Sequence, residues 1–211
     1  MRYLFYAYYI TLLLSSAFAI KNFNKLNKSL KIFGVLAIAT FVFELLAYAM
    51  AITRFNNIIV YVVFTPIQII LLTMAYFTYH KNTLFRKIAV FLMFLFLVYF
   101  INTVFGLDFT VFPNKLIMAE NIIICFVVAY SSYLIVSMDQ YVEIKKNPLI
   151  WINMGFLFFL STSFFIWGFH YLIKTNEINA ISRFTLIISN IILYSIFALS
   201  FFKSNLKSEI V

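Results

Sequence analysis

The side chains in this chain that could do chemistry are few, and they sit in apolar company. Glu44 stands near the centre of one long apolar stretch, while Glu120 and Asn121 lie near the start of another. Gln68, Asn102, Asn190 and Tyr194 are single polar positions in further stretches, and His170 lies beside Trp167 and Tyr171. An ionisable group at the middle of a membrane span costs about 2.5 kcal/mol or more, so it faces a partner or a water-filled cavity rather than lipid. Two kinds of chemistry are open to such a set. One is recognition of a small ligand by carboxyl and amide groups. The other is acid–base work by Glu44 with Glu120, if their helices adjoin at equal height.

Motifs for other chemistry are missing. The chain has no Gly-x-Ser-x-Gly elbow, no Gly-rich phosphate loop, no His-Glu-x-x-His and no pair of Asp in a span. A zinc or iron site needs three or four convergent ligands, and His80 and His170 are the two histidines of the chain, so no metal and no cofactor are expected. A retinal Schiff base is excluded as well, because Lys203 lies at the end of the last apolar stretch and not within it.

The elements that must position these groups follow from composition. The 211 residues are 64% hydrophobic and 11% charged, with four Gly and three Pro. Apolar runs of about 20 residues, rising 1.5 Å each, cross about 30 Å of hydrocarbon as helices. Strands are excluded for most of the chain by the continuity of the runs and by the need to satisfy lipid-exposed backbone internally. The expectation is an all-α polytopic membrane protein with one transmembrane domain over 1–211 and spans at about 3–20, 32–52, 58–79, 88–107, 116–137, 149–173 and 183–202. Cys125 lies inside an apolar run, so no internal disulfide forms. Met1 to Ala19 has the pattern of a secretory signal ending in Ala17-Phe18-Ala19. A retained first helix is expected, because cleavage would leave the lysines of 21–31 on the outer side.

Orientation follows from Lys and Arg, since loops rich in them stay cytoplasmic. With the N-terminus outside and the C-terminus cytoplasmic, eleven of the sixteen basic residues fall inside. Five fall outside: Arg2, Arg54, Lys115, Lys174 and Arg183. The formal charge of +9 is thereby a matter of topology, and no nucleic-acid partner is implied.

Spacing then gives faces. Ala37, Thr40, Glu44, Ala47 and Ala51 recur at three- and four-residue steps, as do Tyr61, Thr65, Gln68, Leu72 and Tyr76. A third such stripe is Asn153, Phe156, Leu160, Ser163, Trp167 and His170. Small stripes let membrane helices approach closely, which turns Glu44 toward a protein interface. Alternating helix directions put Glu44 and Gln68 near mid-membrane, Asn102, Glu120, Asn121, His170 and Asn190 in the outer half, and Asn153 toward the cytoplasm. Blander roles stand beside these. Glu44 can be a structural acid bonded to Gln68 or a Tyr hydroxyl, Glu120 a solvated helix-start acid, His170 an interfacial residue, and Asn153 and Asn190 bridges between helices.

Phe43-Glu44, Asn56 to Tyr61 leading into Thr65-Pro66-Ile67-Gln68, and Glu120 near the start of the fifth helix form a series with Asn147-Pro148-Leu149-Ile150-Trp151-Ile152-Asn153-Met154-Gly155, Phe164-Phe165, and Arg183 to Ser200. This series resembles a group of small uncharacterised seven-helix proteins from Bacteroidetes-type bacteria, over most of the chain. Where that group usually has Glu in the third helix this chain has Gln68, which weakens a paired-acid site. Members resemble the seven-helix sensory regions that precede histidine kinases, and their genes accompany signalling genes. The resemblance implies a sensor or accessory role in the bacterial inner membrane and no known chemistry.

The expected function is therefore a multi-pass sensor or accessory signalling protein. An outward polar cavity lined by Glu44, Gln68, Asn102, Glu120, Asn121, His170, Asn190 and Tyr194 takes a small ligand, and the cytoplasmic loops meet a signalling partner. The alternatives are a small-solute transporter, an intramembrane lipid-modifying enzyme and a membrane-permeabilising effector. Transport by a three-plus-one-plus-three layout would want a second Pro-Gln element to match Pro66-Ile67-Gln68, and the later helices have none.

Overall fold

Among the described residues, seven long helices follow one another in the computed structural model. They are α1 (Arg2–Lys21), α2 (Lys28–Ile52), α3 (Ile58–Tyr79), α4 (Thr83–Val104), α5 (Asn114–Val136), α6 (Pro148–Leu172) and α7 (Asn176–Lys203), with one 3-10 turn at Phe23–Lys25. The structure describes residues 2–106, 109, 113–137, 147–172 and 176–203, the side chains of Arg2, 167–172 and 176–180 excepted. Each helix is long and apolar enough to cross a membrane, and the chain is read as a multi-pass membrane protein.

Each helix covers one of the expected spans, with α2, α4 and α7 starting earlier than expected and α4 ending earlier, at Val104. α2 begins at Lys28 because Asn27 caps it, its Oδ1 accepting from Leu30 N at 2.9 Å. α4 begins at Thr83 because Asn82 does the same for Phe85 N at 3.0 Å. Both caps answer backbone donors that a helix start otherwise leaves orphaned. Residues 28–31 and 83–87 are therefore helical turns that carry lysine and arginine, where loops were expected.

Adjacent helices pack in sequence order, and α7 returns to touch α1 and α2, closing a ring. Large aromatic side chains join α2, α3, α6 and α7 inside the bundle: the Phe33 ring lies 5.4 Å from Tyr76, 6.3 Å from Phe156 and 6.0 Å from Phe197, centroid to centroid. Offset and edge-on pairs at such spacing are favourable beyond their buried area. Small residues set the close approaches at the rim. A Cβ on Gly155 would come within 3.2 Å of Leu193 and Ile196 side chains of α7. Ser16 of α1 donates to Ala37 O of α2 at 3.2 Å, and Ser29 of α2 to Ala75 O of α3 at 2.8 Å.

The α2–α3 connection, residues 53–57, ends α2 sharply. Phe55 N bonds Met50 O at 2.9 Å and Arg54 N bonds Ala51 O at 3.3 Å, the pair of bonds of a Schellman end. Arg54 occupies the left-handed position, with φ 61°, where glycine is the usual residue. Asn56 then accepts from Ile58 N at 2.9 Å and donates to Phe109 O, tying this turn to the α4–α5 connection. Arg54→Gly should leave the fold intact and raise stability by about 1 kcal/mol. Reversible unfolding of the purified protein in mixed micelles measures this, and a loss of stability would contradict the geometry.

Candidate ligand-binding site

Glu44 stands eight residues before the end of α2, only partly buried. The hydroxyls of Tyr8 from α1 and Tyr61 from α3 address its carboxyl as hydrogen-bond partners. Tyr194 of α7 lies alongside, its ring 6.1 Å from that of Tyr8, with its hydroxyl turned to Thr40 of α2. Tyr9 completes the group, 5.4 Å from Tyr8 and 5.8 Å from Tyr48, again between centroids. Four helices thus contribute to one polar cluster in the half of the bundle that holds the start of α1. An ionised carboxylate only accepts hydrogen bonds and a phenol can donate one, so the groups are complementary.

This arrangement has a simple origin in the sequence. Thr40, Glu44 and Ala47 share one face of α2, and Ala37, Thr40 and Ala47 are buried there. In α1 the facing stripe is Tyr8, Leu12, Ser15 and Ala19, all buried and spaced by four, three and four. Small groups on both stripes bring the two helices close enough for a tyrosine to reach the acid. Tyr8 and Tyr9 were missed as site residues by the sequence reading, although the Tyr8 stripe has the same periodicity as that around Glu44. Thr40 and Tyr61 were recognised only as stripe members.

The expected cavity-lining set divides. Glu44 and Tyr194 come together. Glu120 and Asn121 form a second group on α5, facing α6. Asn121 donates to Ser163 Oγ at 2.9 Å. Glu120 is 5% exposed and its Oε1 has no hydrogen-bond partner among the described groups. It is a buried acid, not the solvated helix-start acid that its position near Asn114 allowed. Gln68 is partly buried on α3. Asn190 is partly buried, and its amide turns back to Leu186 O of its own helix at 3.0 Å. Asn102 is exposed on α4, away from the cluster. The side chain of His170 lies outside the described ones.

A third polar group, at the opposite end of the bundle, is built on Asn153, which bridges helices as its position on the α6 stripe suggested. Tyr76 of α3 donates to Asn153 Oδ1 of α6 at 2.7 Å, and Asn153 Nδ2 donates to Ser131 and Ser132 of α5 at 3.3 and 3.0 Å. His80 Nε2 meets Ser131 Oγ at 2.7 Å. Ser132 gives its proton to Val128 O, and the Ser131 hydroxyl, which receives from Asn153, has both a proton to give His80 Nε2 and a second lone pair to accept from it. The Ser131–His80 spacing is that of a nucleophile and base, but Ser131 is fully buried, and no substrate carbonyl reaches it. The network locks α3, α5 and α6 together. The signal for it was present in the sequence as Asn153 on the buried face of α6.

Among the described residues no group of three metal-ligating side chains gathers. Compared with protein-family models, curated proteins and solved structures, the chain matches none.

His80, just past the end of α3, is 4% exposed. Burial, with the nearby Arg86 charge, lowers its pKa from 6.5 to about 4. The unfolded chain therefore takes up a proton before the folded one does. Stability from this group is complete above pH 6.5 and is lost as pH falls toward about 4, by roughly 1.4 kcal/mol per pH unit within that window. Parallel unfolding series for the wild type and His80→Gln should diverge in slope there. Superimposable pH profiles would show that His80 does not titrate in this window.

Proposed function

We propose that this chain is a sensor or accessory signalling protein of the bacterial inner membrane, and that a small ligand binds at Glu44 between α1, α2, α3 and α7. The single observation that carries the reading is the Glu44 carboxyl, answered by tyrosine hydroxyls from neighbouring helices yet not fully buried. A carboxylate ringed by phenols favours a ligand with a hydrogen-bond-donating, cationic head, since both the charge and the ring faces attract it.

Topology supports the direction of access. Lys21, Lys25, Lys28, Lys31, Lys81, Arg86, Lys87 and Lys203 gather at one end of the described bundle, against Arg2, Arg54, Lys115 and Arg183 at the other. By the distribution of positive charge the first end is cytoplasmic, which turns the Glu44 half outward. The cytoplasmic connections then meet the signalling partner.

A transport reading draws on one observation, the unpartnered carboxyl oxygen of Glu120 beside the Asn121–Ser163 pair. A carrier would use such a group as a second station for a proton or cation.

Protonated alkylamines and tetramethylammonium, titrated against purified protein in nanodiscs, test the proposal by thermal shift. At least one amine should stabilise the wild type. Glu44→Gln should weaken binding about 10- to 100-fold and Tyr8→Phe about fivefold, while Glu120→Gln leaves it unchanged. Binding that survives Glu44→Gln would refute the site. Amine flux in proteoliposomes, abolished by either Glu44→Gln or Glu120→Gln, would replace sensing with transport.

A further inference from the structure

A groove of about 480 Å³ opens on the outer surface of the bundle between the end of α3 and the start of α4, lined by Phe77, Arg86, Lys87, Val90, Phe91 and Phe94. Its two ends differ in chemistry. Arg86 and Lys87 stand at the mouth, in the first turns of α4 after Asn82. Val90, Phe91 and Phe94 continue along the same α4 face at three- and four-residue steps toward the bilayer interior. Phe77, Phe91 and Phe94 are 40%, 59% and 60% exposed, so no other helix covers this floor.

The cationic end is built rather than incidental. Arg86 Nε donates to His80 O at 2.6 Å and to Phe77 O at 3.0 Å, and its guanidinium lies 4.6 Å from the centroid of the Phe77 ring. Two carbonyls and a ring face fix the plane of the group while its Nη hydrogens remain to serve a ligand. Lys87 adds an exposed charge one residue further on. From Lys87 to Phe94 the helix rises about 10 Å, which covers a good part of one acyl chain.

We infer that this groove is a binding site for one anionic phospholipid, its phosphate held by Arg86 and Lys87 and an acyl chain laid along Phe77, Phe91 and Phe94. Charge complementarity selects the headgroup, since each basic side chain near a membrane surface favours anionic lipid. The apolar floor excludes free phosphate as the natural occupant, because phosphate has nothing to bury there.

Native mass spectrometry of the delipidated protein in neutral detergent, titrated with phosphatidylglycerol or phosphatidylcholine of matched chains, tests this. The first phosphatidylglycerol should bind more tightly, by about fivefold for each of the two basic side chains. Lys87→Gln should remove about fivefold of that preference, and Arg86→Gln with Lys87→Gln should remove the rest. Lys87 is exposed, so its single variant keeps the test valid if the double variant fails to fold. Lys115→Gln, at the opposite end of the bundle, should change nothing, and millimolar inorganic phosphate should not compete. Equal affinity for both lipids, a preference untouched by Lys87→Gln, an equal loss in Lys115→Gln, or displacement by phosphate would each overturn the inference.

Discussion

A carboxyl group placed within a membrane helix constrains everything packed around it. Lipid offers Glu44 no hydrogen bond, so its partners have to come from other helices. Tyr8 and Tyr61 supply them, and they reach only because α1 and α2 are smooth enough to lie close, with Ala19, Gly34 and Ala37 at their contact. The return of α7 to α1 brings Tyr194 to the same place. One acid thus gathers groups from α1, α3 and α7 around α2.

The two halves of the molecule solve the same problem differently. At the opposite end, Tyr76, Asn153, Ser131 and His80 satisfy one another in a closed set, all of them buried. Such a network is strong because each member has its partner, and it holds α3, α5 and α6 in register. Beside that network Phe33 packs edge-on against Phe197 and against Tyr76 itself, with Phe33 and Phe197 fully buried. One end thus holds a closed network and the other a partly exposed acid.

The seven spans were legible because each apolar run has the length of a bilayer and the charged residues lie between runs. Their ends were less so: the caps at Asn27 and Asn82 extend helices into lysine-bearing segments that composition alone assigns to loops. Glu44 was legible as an acid turned to a protein interface, since small residues flank it at helical spacing. Its partners were not, because sequence order does not say that α7 closes on α1, and Tyr8 looks like any other aromatic in an apolar helix. Asn102 shows the converse. A lone amide in an apolar run carries no face with it, and this one points away from the bundle's interior. His80 stood in the sequence only as one of two histidines, and the structure buries it against Ser131.

The central claim is that Glu44 is held by Tyr8 across the α1–α2 contact. A double-mutant cycle of Glu44→Gln and Tyr8→Phe, measured on unfolding free energy in mixed micelles, tests that contact without any ligand. A favourable coupling of about 1 kcal/mol or more between the two positions is predicted. Strict additivity of the two substitutions would contradict it.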